Sequence, residues 1–415
     1  MDFCVKKCAN GITGEVTLSG AKNAALPILA ATLLCDEESV IGGVPDLVDI
    51  RALYDLLRYM GAGVEVKQDG VHVDPHGIKR LVAPYEIANS FRGSFLVAGP
   101  LIAKYGTAKV SMPGGCAIGV RPVDLHLKGL SAMGASIKQG KGYIEIKADR
   151  LQGKKLYLDF PSVGATENLM MAATLAEGQT ILENAAVEPE IVDLANFLNK
   201  MGAHVQGGGS DTIKITGVEK LRGTTHNIIP DRIEAGTFMV LAGAVGGDLL
   251  ISNAVPTHLR PVTAKLREMG VEIAEMEDAV RIIATGGFQP SDIKTMPYPG
   301  FPTDMQAQFM SMMSRLSGTS VVTETVFENR FMHACELQRM GANIKTEGRT
   351  AVIEGVKNLS GAKVKATDLR AAAALVIAGC IARGETIIED IEHLQRGYED
   401  FDAKLRRLGV DIQKR

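Results

Sequence analysis

The sequence has no tryptophan and only 5% aromatic residues, which leaves little material for the stacking platforms that single-stranded nucleic acid needs. It also lacks an excess of either charge: 45 Lys and Arg stand against 48 Asp and Glu, a formal net charge of −3. A protein made to hold a polyanion or an anionic membrane carries a basic surplus, so any anion site here must be a local gathering of cations. The six cysteines, at 4, 8, 35, 116, 335 and 380, include no Cys-x-x-Cys pair and no ligand set at zinc-finger spacing, so free thiols are expected. The opening Met1-Asp2-Phe3-Cys4-Val5-Lys6-Lys7 has no apolar stretch of a secretory signal. The longest uncharged apolar run, 371–382, falls well short of the roughly 20 residues of a membrane span. The expected compartment is therefore the cytoplasm, with neither membrane nor nucleic acid as partner. A P-loop, a nucleophile elbow and paired metal-binding histidines are also missing, so no metal or organic cofactor is implied.

What is present is a repeat. Met-Gly-Ala or a close variant recurs with its glycine at 61, 134, 202, 270, 341 and 409, at intervals of 73, 68, 68, 71 and 68 residues. Six units of about 69 residues fill the 415-residue chain. Each Met-Gly closes an amphipathic helix, as at 53–60 and 262–269, with glycine as the left-handed cap, and an alternating strand follows. A second helix in each unit (24–34, 95–103, 168–176, 238–245, 305–313 and 371–382) is apolar almost all round and must be enclosed. Three such helices can share one shell of sheets and outer helices, so six units predict two bodies joined near 222–230, with a cleft between them.

The starts of the enclosed helices carry unusual residues. Asp231, Thr303 and Asp368 suit ordinary N-caps. Lys22, Arg92, Arg232 and Arg370 do not, because cations are disfavoured at the positive end of a helix dipole. Their recurrence predicts that an anion is shared among them, as in a site for phosphate or carboxylate groups. Arg396 adds another cation in a loop, where its role is either anion binding or simple solvation.

The loop 112–122 holds Pro113, Pro122 and three glycines around Cys116 and ahead of Arg121. A nearby cation and a helix start favour ionisation of a thiol, so Cys116 is either a reactive sulfur or a small apolar side chain.

The segments 19–27, 113–116, 119–126, 161–166, 301–308, 328–331, 367–370 and 396–399 together resemble the UDP-N-acetylglucosamine 1-carboxyvinyltransferase family, enolpyruvyl transferases that open bacterial peptidoglycan synthesis. The resemblance implies an α/β fold of two inside-out α/β barrels. Residues 22–229 would form one domain, residues 1–21 with 230–415 the other, and the active site would lie in the cleft between them. It implies phosphoenolpyruvate and UDP-N-acetylglucosamine as substrates, joined by addition and elimination with release of phosphate. Lys22, Arg121 and Arg396 would hold the phosphate and carboxylate of phosphoenolpyruvate, with Asn23 and Arg370 close by. Arg92, Arg121, Pro122, Val123, Asp124, Leu125, Ser162, Val163, Gly164, Asp304 and Val326 would line the nucleotide-sugar site. Cys116 would be the general acid and the target of fosfomycin. Asp304 would accept the proton of the sugar 3-hydroxyl, although a helix start weakens a carboxylate as a base while desolvation strengthens it. The shikimate-pathway enolpyruvyl transferases share this chemistry without the Pro-Gly-Gly-Cys loop. RNA 3'-phosphate cyclases share related repeats but need a nucleotidylated histidine. A passive binding cleft is the non-enzymatic alternative.

Overall fold

The computed structural model describes residues 2–88, 91–112 and 123–415, the side chain of Arg92 excepted. The expectations for Cys116, Arg121, Pro122 and the Arg92 side chain therefore lie outside the described residues. The described residues divide into two compact units, a terminal one (2–19 and 230–415) and a central one (20–229).

Each unit is an α/β body built from three four-stranded sheets. In every sheet an edge strand runs parallel to its neighbour, and the next two pairings are antiparallel. One example is Lys155–Tyr157 beside Gln179–Glu183, then Thr212–Thr216, then His204–Gln206. The strands alternate buried and exposed side chains, so one face of each sheet turns inward.

Against those inner faces lie the apolar helices: Lys22–Ala31, Ala98–Tyr105 and Val163–Ala173 in the central unit, and Arg232–Val245, Gln306–Met313 and Leu369–Ile381 in the terminal unit. Every residue from Arg370 to Ile381 is buried, as the all-round apolar sequence requires. In the terminal unit the three helices touch one another, and each also packs on its own sheet. Among the described residues no helix is long and apolar enough to cross a membrane.

The six repeat glycines close the outer helices as expected, with φ of 112°, 99°, 102°, 96°, 91° and 87° at Gly61, Gly134, Gly202, Gly270, Gly341 and Gly409. A second glycine series, not apparent from the Met-Gly pattern, seats the end of a strand against the turn that follows an enclosed helix. A Cβ at Gly217 would lie 1.6 Å from the Ala176 carbonyl oxygen, and one at Gly355 would lie 1.5 Å from that of Leu316.

Two sheets of the terminal unit are completed from the other end of the chain. Phe3–Lys6 is inserted between Glu385–Glu389 and Ile412–Lys414. Ile12–Thr17 runs parallel to Gly247–Ser252. In the central unit Thr225–Asn227 returns to the edge of the first sheet beside Ser39–Gly42.

Candidate functional site

In the terminal unit Asp304 lies in the short turn Thr303–Met305 that leads into Gln306–Met313. Its two carboxylate oxygens accept from different guanidiniums, Nη2 of Arg330 and Nη2 of Arg370, each at 2.9 Å. Both arginines are only 4% exposed, so these contacts act in a medium that screens them weakly. Asp368 fixes the backbone under Arg370 by accepting from the Arg370 and Ala371 N–H groups at 2.8 and 3.1 Å, and the Arg370 guanidinium lies 5.3 Å from the centre of the Tyr398 ring. Nε and Nη1 of Arg370 and Nη1 of Arg330 are buried without a hydrogen-bond partner. Donors of this kind, enclosed and already charged, are suited to an anion.

Val326 is tied to the same corner. Glu324 accepts from the Val326 N–H and from the hydroxyl of Thr303, each at 2.8 Å. Thr303 is therefore a ligand of Glu324 and caps no helix through its side chain. Arg396 ends the short helix Ile391–Arg396 and is half-buried. The next residue, Gly397, lies against the start of Leu369–Ile381, where a Cβ would come within 2.6 Å of the Leu369 side chain. Asp304, Val326 and Arg370 are thus assembled in one corner, and Arg396 leads into the turn beside Leu369.

In the central unit Lys22 opens the helix Lys22–Ala31 and pairs with Asp49 at 3.0 Å, while Asn23 is exposed. Ser162 precedes Val163–Ala173 without a side-chain cap, and Val123 precedes Asp124–Ala132 in the same way. His126 brings these two helix starts together, because its ring lies 3.4 Å from where a Gly164 Cβ would stand. Asn168 sets the tautomer. Its amide nitrogen donates to the Phe95 carbonyl at 2.9 Å and contacts Nδ1 of His126 at 3.0 Å, while its oxygen accepts from the Gly99 N–H at 2.5 Å. Nδ1 of His126 must therefore accept, which leaves the proton on Nε2, beside the 162–164 turn. Burial pulls this imidazole down to about 4, so it is neutral at ordinary pH. Glu167, one turn further along, is wholly buried, and burial followed by repulsion from Glu190 and Glu188 raises its carboxyl well above the usual range.

Two of the four cations expected at helix starts have a carboxylate of the chain itself beside them. Asp49 meets Lys22 and Asp304 meets Arg370, while Arg232 stands over the Tyr298 ring at 5.4 Å. The chain supplies carboxylates of its own, which offset the unfavourable helix dipole. Asp231 and Asp368 are N-caps, as their residue type allows. Arg330 bonds to Asp304, Glu324 to the Val326 N–H and Asn168 to His126, contacts that no residue-by-residue pattern in the sequence shows. Arg330 was visible only as part of a motif, and the other two carry no local signal.

The chain matches the family described as EPSP synthase (3-phosphoshikimate 1-carboxyvinyltransferase) over residues 7–405. It is 57% identical over 413 residues to UDP-N-acetylglucosamine 1-carboxyvinyltransferase 1 of Caldanaerobacter subterraneus subsp. tengcongensis, covering 100% of this chain and 99% of that one. To UDP-N-acetylglucosamine 1-carboxyvinyltransferase 2 of Carboxydothermus hydrogenoformans it is 58% identical over 405 residues, 97% of each chain. Among solved structures it is similar to the enolpyruvyl transferase NikO of Streptomyces tendae, with a TM-score of 0.90 at 25% identity over 99% and 98% of the two chains. EPSP synthase of Acinetobacter baumannii shares the fold over both whole chains, with a TM-score of 0.77 at 21% identity.

Proposed function

The chain belongs to the UDP-N-acetylglucosamine 1-carboxyvinyltransferases, and from that premise we propose that it transfers the enolpyruvyl group of phosphoenolpyruvate to the 3-hydroxyl of UDP-N-acetylglucosamine, with release of phosphate. The single observation that carries this reading is identity of 57% and 58% to relatives of that name over essentially the whole chain. On this reading the units form a pair of inside-out α/β barrels, and the enzyme works in the cytoplasm at the first committed step of cell-wall synthesis.

The site residues take roles by chemistry. Lys22, Arg121 and Arg396 hold the phosphate and carboxylate of phosphoenolpyruvate, with Asn23 and Arg370 beside them. Arg92, residues 121–125, residues 162–164 and Val326 receive the nucleotide sugar. The vinyl carbon bearing the phosphate is a poor electrophile until the methylene is protonated, so Cys116 gives its proton to that methylene. The 3-hydroxyl oxygen then bonds to the neighbouring carbon and passes its proton to Asp304. In the second half the methyl group returns a proton to the Cys116 thiolate, the carbon–oxygen bond breaks so that phosphate leaves with its electron pair, and the double bond returns.

Both oxygens of Asp304 are engaged by guanidiniums, so it becomes a free base only when a cation is drawn away. The unpartnered Nε and Nη1 of Arg370 offer the route. A substrate phosphate that takes them competes with Asp304 for the same guanidinium, which couples anion binding to release of the base.

The test is phosphate release from phosphoenolpyruvate with UDP-N-acetylglucosamine or shikimate 3-phosphate as acceptor. Release with the sugar nucleotide supports the reading. Release only with the shikimate acceptor, or with neither, overturns it. Cys116→Ser is expected to lose most turnover and all labelling by fosfomycin while folding normally, and persistent labelling would put the reactive thiol elsewhere.

A further inference from the structure

Ser19, the last residue of the first terminal-unit segment, is held through every polar atom it has. Its N–H donates to Oε2 of Glu234 at 2.8 Å, and its carbonyl accepts from the Asp231 N–H at 2.9 Å. Its hydroxyl donates to Oε2 of Glu399 at 2.6 Å and accepts from Nζ of Lys404 at 2.8 Å. Lys404 closes the ring by donating to Oε1 of Glu234 at 2.6 Å. The Glu234 and Lys404 side chains are only 2% and 13% exposed, so salt screens the ring weakly.

The direction of the hydroxyl is set by Lys404. An ammonium has donors only, so Ser19 must accept from it and can send its single proton only to Glu399. Burial pushes the Glu234 carboxyl up to about 7 against the lowering pull of Lys404 and of the Ser19 N–H. The ring joins two stretches of chain that each carry an expected anion ligand three residues away: Lys22 follows Ser19, and Arg396 precedes Glu399. The turn between Arg396 and Glu399 is pinned further by Tyr398, whose hydroxyl meets that of Thr237 at 2.8 Å.

Resting on the reaction proposed above, we infer that Lys404 is a positioning residue: through Ser19 and Glu399 it fixes the turn that carries Arg396 and the strand end that leads to Lys22, and so sets where the anionic groups of phosphoenolpyruvate are received. It touches no reacting atom. Its effect falls on one substrate more than on the other.

The test uses the full chain and steady-state phosphate release with each substrate varied. Lys404→Met is expected to lower kcat/KM for phosphoenolpyruvate between about ten- and a hundredfold, as a displacement near 1 Å does, with KM for UDP-N-acetylglucosamine changed less than about threefold. Lys404→Arg is expected to restore most of the loss. Ser19→Ala cuts the link to Glu399 without stranding a buried charge and is expected to act in the same direction. Loss shared equally by both substrates, loss that tracks the folded fraction, no loss, or an arginine variant no better than methionine overturns the inference. Wild-type protein that releases no phosphate with UDP-N-acetylglucosamine fails the proposed reaction instead. Amide exchange then reads the ring alone: faster exchange over 397–400 in Lys404→Met supports Lys404 as the holder of that turn, and unchanged exchange overturns it.

Discussion

Burial holds the His126 imidazole down at about 4, whereas hydrogen bonds to Asp69 and then Glu38 raise His72 above its ordinary value. The two therefore answer acid in opposite directions. Below about pH 6.5 the unfolded chain protonates His126 while the folded chain does not, so its contribution is present above that value and is lost as the pH falls towards 4, by roughly 3 kcal/mol. His72 stabilises fully below the unfolded value, and that contribution is lost as the pH rises through the raised folded value. Urea unfolding of His126→Gln is expected to show a shallower decline between pH 7 and pH 4.5 than wild type. The decline is reduced rather than abolished, because burial also holds His333 at about 4. For His72→Gln the deficit against wild type is expected to be larger at pH 5.5 than at pH 8.5. An unchanged slope in the first variant would mean that the native ring already takes up the proton. The sequence singles out Arg370 by its place at a helix start and Asp304 by the family resemblance. It does not show that they bond to each other or that Arg330 joins them, because that depends on which helix starts face one another within a unit.

At the scale of the element, the six cap glycines share a backbone conformation but not a neighbourhood. A Cβ at Gly409 meets nothing within 4 Å, whereas one at Gly61 would fall 2.2 Å from the carbonyl oxygen of Gly77. Gly409→Ala is expected to cost only the left-handed penalty, about 1–2 kcal/mol. Gly61→Ala is expected to cost clearly more, because a carbonyl must also move. Parallel urea titrations check the order, and equal costs would mean that the 75–78 turn yields freely. The helices, their all-round or one-sided burial and their glycine caps were legible because each leaves a local signature of period or punctuation. The insertion of Phe3–Lys6 between Glu385–Glu389 and Ile412–Lys414 was not legible, because no pattern in a four-residue strand says which edge it will meet. The glycines at 217 and 355 were overlooked for the same reason: what they avoid is a carbonyl distant in sequence.

For the whole molecule, that inserted strand makes the terminal unit depend on its first residues. Val5 is fully buried and pairs with Thr386 and Ile412. Val5→Asp would place an unpaired charge there, at a cost on the order of 4 kcal/mol. Hydrogen exchange is expected to show protection lost over 385–389 and 412–414, while the enclosed helices of the central unit keep theirs. Uniform loss across both units would mean that they unfold as one.

The Asp2 N–H donates to the carbonyl of Arg415 at 3.1 Å, and the Arg415 N–H to that of Asp2 at 2.9 Å. These two residues lie 413 positions apart in the sequence. The central unit has all of its strands soon after residue 227 has emerged. Phe3–Lys6 stays unpaired until residues 385–389 and 412–414 have been made, an apolar segment with nowhere to dock until those strands arrive.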